Sequence, residues 1–339
     1  MPATDRPRIL VCRPVPGEAL DRLRTIAEVE VWPGPRPAPR PELLRLVAGR
    51  SGLLVVGDRV DEELLDAAGP GLRGIAQFGV GYDNVDVAAC TRRGIPAGNT
   101  PDVLSGTTAE IAWALMLAAA RRITEAERYL RAGRWATGGF GDLMGVDVGG
   151  ATLGIVGMGR IGQEVARRAL GFRMTVLYHQ RRRLDPALER ELNATFVPFP
   201  DLLARSDFVT IHAPATPETR RLMDAQAFAQ TKPGAILVNT SRGTLVDQEA
   251  LLAALDAGRI RAAALDVTDP EPLPADHPLV GRDDVIVIPH IGSATHATRA
   301  RMTELCVRNL EAALRGERMP TVIDPGVYDR PAGAGGSAG

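Results

Sequence analysis

The chain has 339 residues, which suits two hydrophobic cores better than one. Apolar residues make up 45% and charged residues 24%, a globular composition, and a net charge of −1 excludes a bulk field that would draw nucleic acid or an acidic membrane. The three cysteines, Cys12, Cys90 and Cys306, are too few and too scattered for a disulfide framework or a CxxC zinc site. They read as small buried side chains in a reducing compartment, and no metal is expected.

Met1–Arg8 is polar and Ile9–Cys12 is too short for the apolar core of a secretory signal. Arg8–Cys12 instead reads as a strand, followed by a helix over Gly17–Ala27 and a proline-rich loop over Trp32–Pro41. Gly52–Val56 is a second strand, Glu62–Ala68 a helix and Gly74–Gln77 a third strand, giving a small unit of parallel strands and helices. Thr107-x-x-Glu110 matches a capping box at the start of a helix that runs to about Arg121. Its apolar run, Ile111–Ala120, is too short to cross a bilayer, so a cytoplasmic location is expected. Gly138–Gly150 reads as loop.

From residue 151 the alternation becomes regular. Strands are expected at Thr152–Val156, Met174–Tyr178, Asp207–His212, Ala235–Asn239, Ala262–Val267 and Val285–Ile288. Helices are expected at Arg160–Leu170, Glu218–Gln230 and Gln248–Ala257, the last stopped by Gly258. This pattern specifies a doubly wound parallel sheet. A final helix over His296–Arg315 ends at Gly316, and the Gly/Ala/Ser-rich tail is expected to be disordered.

Gly157-Met158-Gly159-Arg160-Ile161-Gly162 follows the first of these strands and opens a helix, the context in which a GxGxxG motif binds a dinucleotide. The first glycine permits the turn, the second admits the pyrophosphate and the third lets helix and strand pack closely. The next strand ends in Tyr178-His179-Gln180-Arg181-Arg182-Arg183, where an NAD-specific site would place an acid for the ribose 2′-hydroxyl. Arginine there favours a 2′-phosphate, so NADP(H) is the expected coenzyme and NAD(H) the alternative.

Three further strand ends carry chemistry. His290 lies in Ile288-Pro289-His290-Ile291-Gly292-Ser293, and an imidazole suits proton donation to a carbonyl near neutral pH. Glu271 lies in Thr268-Asp269-Pro270-Glu271-Pro272, and a carboxylate beside an imidazole stabilises its protonated form. Arg242 lies in Thr240-Ser241-Arg242-Gly243, where a guanidinium suits a substrate carboxylate and its adjacent carbonyl.

With Val80-Gly81-Tyr82-Asp83-Asn84-Val85-Asp86, Ala264–Thr268, Pro270–Pro274 and Pro289–His296, these motifs resemble the D-isomer-specific 2-hydroxyacid dehydrogenase family, and within it the glyoxylate/hydroxypyruvate reductase branch, over about residues 8–322. The resemblance implies a Rossmann coenzyme domain (101–289) inserted into a smaller flavodoxin-like α/β substrate domain (1–100 and 290–325), with a disordered tail at 326–339. It implies that Arg242, Glu271 and His290 are catalytic, that the Val80 and Gly81 amides and Arg242 take the substrate carboxylate, and that Ser293 lies near the substrate. Thr108, Pro214, Thr240, Asp266 and Gly292 join Gly157, Gly159, Arg160, Ile161, Gly162, Gln180, Arg181 and Arg182 as expected coenzyme contacts. The stretch around Tyr129–Gly145 resembles the arm that builds the family's dimer, with Trp135 near the partner's active site. The expected partners are therefore a small 2-oxo or 2-hydroxy acid and a second copy of the chain. The chain departs from formate dehydrogenases, which lack the Glu–His pairing, and from phosphite dehydrogenases, whose segment between Glu and His is longer. A dehydrogenase for a bulkier oxo acid and a dinucleotide-sensing corepressor-like protein remain the alternatives.

Overall fold

Short apolar runs separated by capped helices produce two parallel sheets. The computed structural model describes residues 6–34, 36–135, 139 and 141–329. The chain divides into two compact units, 1–104 with 293–339, and 105–292. The joints therefore fall a few residues beyond the expected 100 and 289, because the helix opening the second unit begins only at Ser105.

The first unit contains β1 (Arg8–Val11), α1 (Ala19–Ile26), β2 (Glu28–Val31), α2 (Arg40–Val47), β3 (Gly52–Val55), α3 (Glu62–Ala68), β4 (Gly74–Gln77), α4 (Val87–Arg92) and β5 (Ala97–Gly98). Its strands pair in the order β2-β1-β3-β4-β5, all parallel, which is the flavodoxin-like winding.

The second unit opens with α5 (Ser105–Ala120) and α6 (Ile123–Arg131). It continues through β6 (Thr152–Val156), α7 (Arg160–Gly171), β7 (Thr175–His179), α8 (Pro186–Leu192), β8 (Ala194–Phe196), α9 (Phe199–Arg205) and β9 (Phe208–Ile211). The remaining elements are α10 (Ala225–Gln230), β10 (Ala235–Asn239), α11 (Gln248–Asp256), β11 (Ile260–Leu265) and β12 (Val285–Val287). The seven strands lie in the order β12-β11-β10-β9-β6-β7-β8, all parallel, so the winding reverses between β6 and β9. Ligands of such sheets bind at the carboxyl edge beside that reversal. The chain then returns to the first unit as α12 (His296–Leu314), capped by the Thr295 hydroxyl and packed against β3, β4 and α1.

Several expectations need correction. The Thr107–Glu110 box does not start a helix: α5 begins at Ser105, so Thr107 already lies inside it. The helix expected over Glu218–Gln230 is confined to Ala225–Gln230, capped by the Asp224 carboxylate, because Met223 is drawn into a bridge with Val246. Pro41 belongs to the first turn of α2 rather than to the loop, a position where the missing N–H is not needed. The tail expected from 326 is ordered at its start: Pro325–Tyr328 forms a 3-10 turn capped by Asp324, Val327 is buried, and the Tyr328 hydroxyl accepts from Met319 N. Residues 330–339 lie outside the described residues. The cysteines are free and buried, and among the described residues no helix is long and apolar enough to cross a membrane.

Close packing beneath the carboxyl edge has a direct test. A Cβ on Gly154 in β6 would lie 2.3 Å from Ser206 Oγ and 2.7 Å from Leu202 Cδ2. Gly154→Ala should lower urea stability by about 1–3 kcal/mol, the usual penalty for overpacking; unchanged stability would show that α9 has slack to give.

Candidate active site

β10, β11 and β12 are neighbours and parallel, so their carboxyl ends share one edge, and each is followed by a loop bearing one of the three predicted catalytic residues. His290 and Glu271 meet: Nδ1 of the imidazole lies 2.6 Å from Glu271 Oε1. Because an ionised carboxylate only accepts, Nδ1 carries the proton in this contact and Nε2 is left for another partner. The two side chains are 45% and 40% exposed, and an ion pair so open to water adds little stability, so its consequence is to orient the ring. Burial pushes the Glu271 carboxyl up, but the His290 hydrogen bond, the imidazole charge and nearby Arg242 outweigh it and hold the group below its usual range.

The backbone around His290 is strained and held. His290 has φ +51°, a left-handed conformation that non-glycine residues seldom adopt. Asp266, 1% exposed at the end of β11, secures it. The Asp266 carbonyl accepts from His290 N at 2.9 Å, while its carboxylate oxygens accept from Ile291 N at 2.6 Å and Gly292 N at 2.8 Å. Burial raises the Asp266 carboxyl above its ordinary value, against the opposing pull of these N–H donors and of His290. Gly292 is required here, because a Cβ would approach Asp266 Oδ2 to 2.9 Å and then the buried Thr108.

Arg242 is fixed by its own turn. Buried Asn239 accepts from Ser241 N at 3.0 Å and donates to Arg242 O at 2.8 Å, and the Ser241 hydroxyl donates to Ala213 O. The next residue, Gly243, packs so tightly that a Cβ would lie 2.0 Å from the Thr268 carbonyl, which joins the Arg242 turn to the loop leading to Glu271. Gln248 of α11 braces that loop at Asp269, and the peptides before Pro270 and Pro272 are both cis. A cavity of about 520 Å³ beside the pair is lined by the polar Asp266, Thr268, Glu271 and His290 together with the apolar Leu273, Leu279 and Val280.

The GxGxxG segment has the shape a dinucleotide requires. Gly157 has φ +91°, and a Cβ there would lie 2.7 Å from the His212–Ala213 peptide; one on Gly162 would lie 2.3 Å from Gly157 O. Gly159, by contrast, faces open space and caps α7 without any side-chain hydrogen bond. The helical ladder begins only with Gln163 N to Gly159 O, so the first N–H groups of α7 lie at the helix end, the kind of position that suits a phosphate. At the end of β7, Gln180 accepts from Met158 N at 3.1 Å and donates to Arg182 O at 2.6 Å, which makes it a brace between the glycine loop and the arginine turn. Arg183 is committed to Glu189 in a bidentate pair at 2.8 Å. Arg181 and Arg182 are exposed and enter none of the ion pairs found among the described residues. Pro214 is exposed just past β9, and Thr240 is buried just past β10.

In the first unit, Val80 and Gly81 follow β4. Their carbonyls accept from Asn99 Nδ2 at 2.8 Å and Gln77 Nε2 at 3.2 Å, while neither N–H has an acceptor among the described residues. Ser293 opens that unit's second segment, directly after Gly292. Sequence reasoning missed His212, which is half-buried against the glycine loop and has only a strand-end position to mark it.

A Rossmann sheet with this glycine loop, and an imidazole–carboxylate pair at the same edge, defines a dinucleotide-dependent oxidoreductase. Residues 113–292 match the family model described as D-isomer specific 2-hydroxyacid dehydrogenase, NAD binding domain. The chain is 45% identical over 331 residues to a glyoxylate reductase of Korarchaeum cryptofilum, covering 97% of this chain and 99% of that one. A solved Thermus thermophilus structure superposes with a TM-score of 0.88 at 48% identity, over 94% of this chain and all 100% of that one. An NADPH-dependent glyoxylate/hydroxypyruvate reductase from Sinorhizobium meliloti, solved with NADP and malonate, gives a TM-score of 0.84 at 34% identity over 97% and 100% of the two chains. The chain belongs to the D-isomer specific 2-hydroxyacid dehydrogenase family and is an NAD(P)-dependent oxidoreductase.

The hydrogen bond to Glu271 is testable in solution. His290→Ala removes the main group that opposes burial, so the Glu271 carboxyl should titrate at higher pH than in the wild type. A carbon-13 NMR titration of the side-chain carboxyl reads this directly; an unchanged midpoint would show that the pair is not formed.

Proposed function

We propose that the enzyme reduces glyoxylate, hydroxypyruvate or both to the 2-hydroxy acid, with His290 as the proton donor. The observation that carries this reading is the 2.6 Å contact between His290 Nδ1 and Glu271, which leaves Nε2 as the only ring nitrogen available to a substrate. Arg242 supplies a guanidinium for the carboxylate and the 2-oxygen of the oxo acid, lowering the energy of the developing alkoxide. The Val80 and Gly81 amides, which meet no acceptor among the described residues, are suited to a carboxylate, and we assign the first unit to substrate binding on that basis. When bound, reduced nicotinamide supplies the hydride to the carbonyl carbon. His290 then gives its Nε2 proton to the oxygen, and Glu271 holds the ring at the angle this requires. The glycine loop, Arg160, Ile161, Thr108, Pro214, Thr240, Asp266 and Gly292 form the coenzyme side in this reading.

We assign NADP(H) as the preferred coenzyme. Support comes from Arg181 and Arg182, which are exposed and outside the ion pairs, and from a relative solved with NADP. A cytoplasmic location agrees with three buried free thiols. We further propose a homodimer. Ile123, Leu130, Trp135 and Met144, between 53% and 68% exposed, concentrate exposed apolar side chains in one stretch of chain, the kind of surface a partner covers. Of the expected arm, residues 136–138 and 140 lie outside the described residues.

The direct experiment crosses NADPH and NADH with glyoxylate, hydroxypyruvate and pyruvate, following absorbance of the reduced nicotinamide. NADPH with glyoxylate or hydroxypyruvate should give the highest kcat/KM, and His290→Ala should lower kcat by about 10²–10⁴ while coenzyme binding is nearly kept. Full activity in that variant would refute the assignment. Sedimentation velocity should give a dimer that Trp135→Glu weakens; a monomeric wild type would refute the dimer.

A further inference from the structure

His212 takes no part in the proton transfer described above, yet it is held from several sides in the second unit. It follows β9 at the place where the strand order reverses, and its backbone N–H donates to Val156 O at 2.7 Å. On one side the His212–Ala213 peptide is what Gly157 packs against, at 2.7 Å from a would-be Cβ. On the other side Ala213 O takes the Ser241 hydroxyl from the turn that bears Arg242. The imidazole lies between two threonine hydroxyls: Nε2 is 2.9 Å from Thr210 Oγ1, and Nδ1 makes a longer 3.4 Å contact with Thr240 Oγ1. Both threonines are buried, and burial pushes the imidazole down to about 3, so the ring stays neutral at working pH. A neutral ring offers one donor and one acceptor, so the direction of the Thr210 bond dictates whether Thr240 donates or accepts.

The backbone contacts at position 212 would survive any side chain. What the imidazole adds is a defined orientation for the Thr240 hydroxyl and a link from β9 to the start of the Arg242 turn. We infer that His212 is a positioning residue, which orients Thr240 toward the bound dinucleotide and keeps the Arg242 turn in register with the glycine loop. The inference rests on the reading that Thr240 lies on the coenzyme side.

The test separates the two ring nitrogens. In His212→Asn the amide stands near the Nδ1 position, toward Thr240, whereas in His212→Gln it reaches the Nε2 position, toward Thr210. Calorimetric titration with NADPH and NADH, without oxo acid, should show the Gln variant binding dinucleotide about three- to tenfold more weakly, as expected for one lost hydrogen bond, with kcat lowered by a similar factor. The Asn variant should stay within about twofold of the wild type in both, because it keeps the contact that matters. Thermal midpoints are measured on the same samples. Equal behaviour of the two variants, or losses that follow the midpoints rather than this order, would overturn the inference. If the wild type turned over no oxo acid, the proposed function would fail by itself, while the order of binding constants would still decide the role of His212.

Discussion

The active edge depends on one buried carboxylate. Asp266 accepts three hydrogen bonds from consecutive residues, one through its carbonyl and two through its side chain, and so holds His290, Ile291 and Gly292 in a fixed turn. A left-handed residue such as His290 persists only where its surroundings over-determine it, and Asp266 is what does so. Burying a carboxylate is unfavourable unless its oxygens are satisfied, and here two backbone N–H groups satisfy them. The imidazole therefore leaves the backbone in one direction and meets Glu271 without needing a strong pair to hold it.

The sheet order explains why residues far apart in sequence come to one edge. β10, β11 and β12 are consecutive neighbours, so the loops bearing Arg242, Glu271 and His290 leave the same edge side by side. Gly243 adds a second constraint by bringing the Arg242 turn into backbone contact with Thr268. The glycine loop lies at the same edge, after β6, beyond β9.

Much of this was legible in the chain. The strands Thr152–Val156 and Ala235–Asn239 of the second unit are apolar but for one polar residue at an end, and the structure has them at the same residues. Glycine placement marked the turn at Gly157 and the helix stops at Gly258 and Gly316, all three of which have positive φ. Short elements were missed. β2 reads Glu28-Val29-Glu30-Val31, an edge strand whose charged half hides it from a search for apolar runs. α4, α8 and α9 are six or seven residues long, below the span that helical periodicity needs, although Asp86 before α4 and Asp185-Pro186 before α8 are readable start signals. At the site, the three catalytic candidates followed from strand-end position. The roles of Asp266 in clamping the turn and of Asn239 in shaping the next one did not, because hydrogen bonds between a buried side chain and a distant backbone leave no periodic trace.

In the proposed reaction, His290 Nε2 and the Arg242 guanidinium face one small acid at this edge. A crystal structure with NADP and oxamate, an unreactive analogue of a 2-oxo acid, examines this arrangement most directly. The oxamate carbonyl oxygen should lie within hydrogen-bond distance of His290 Nε2 and of Arg242. Oxamate bound with neither group in reach would contradict the arrangement.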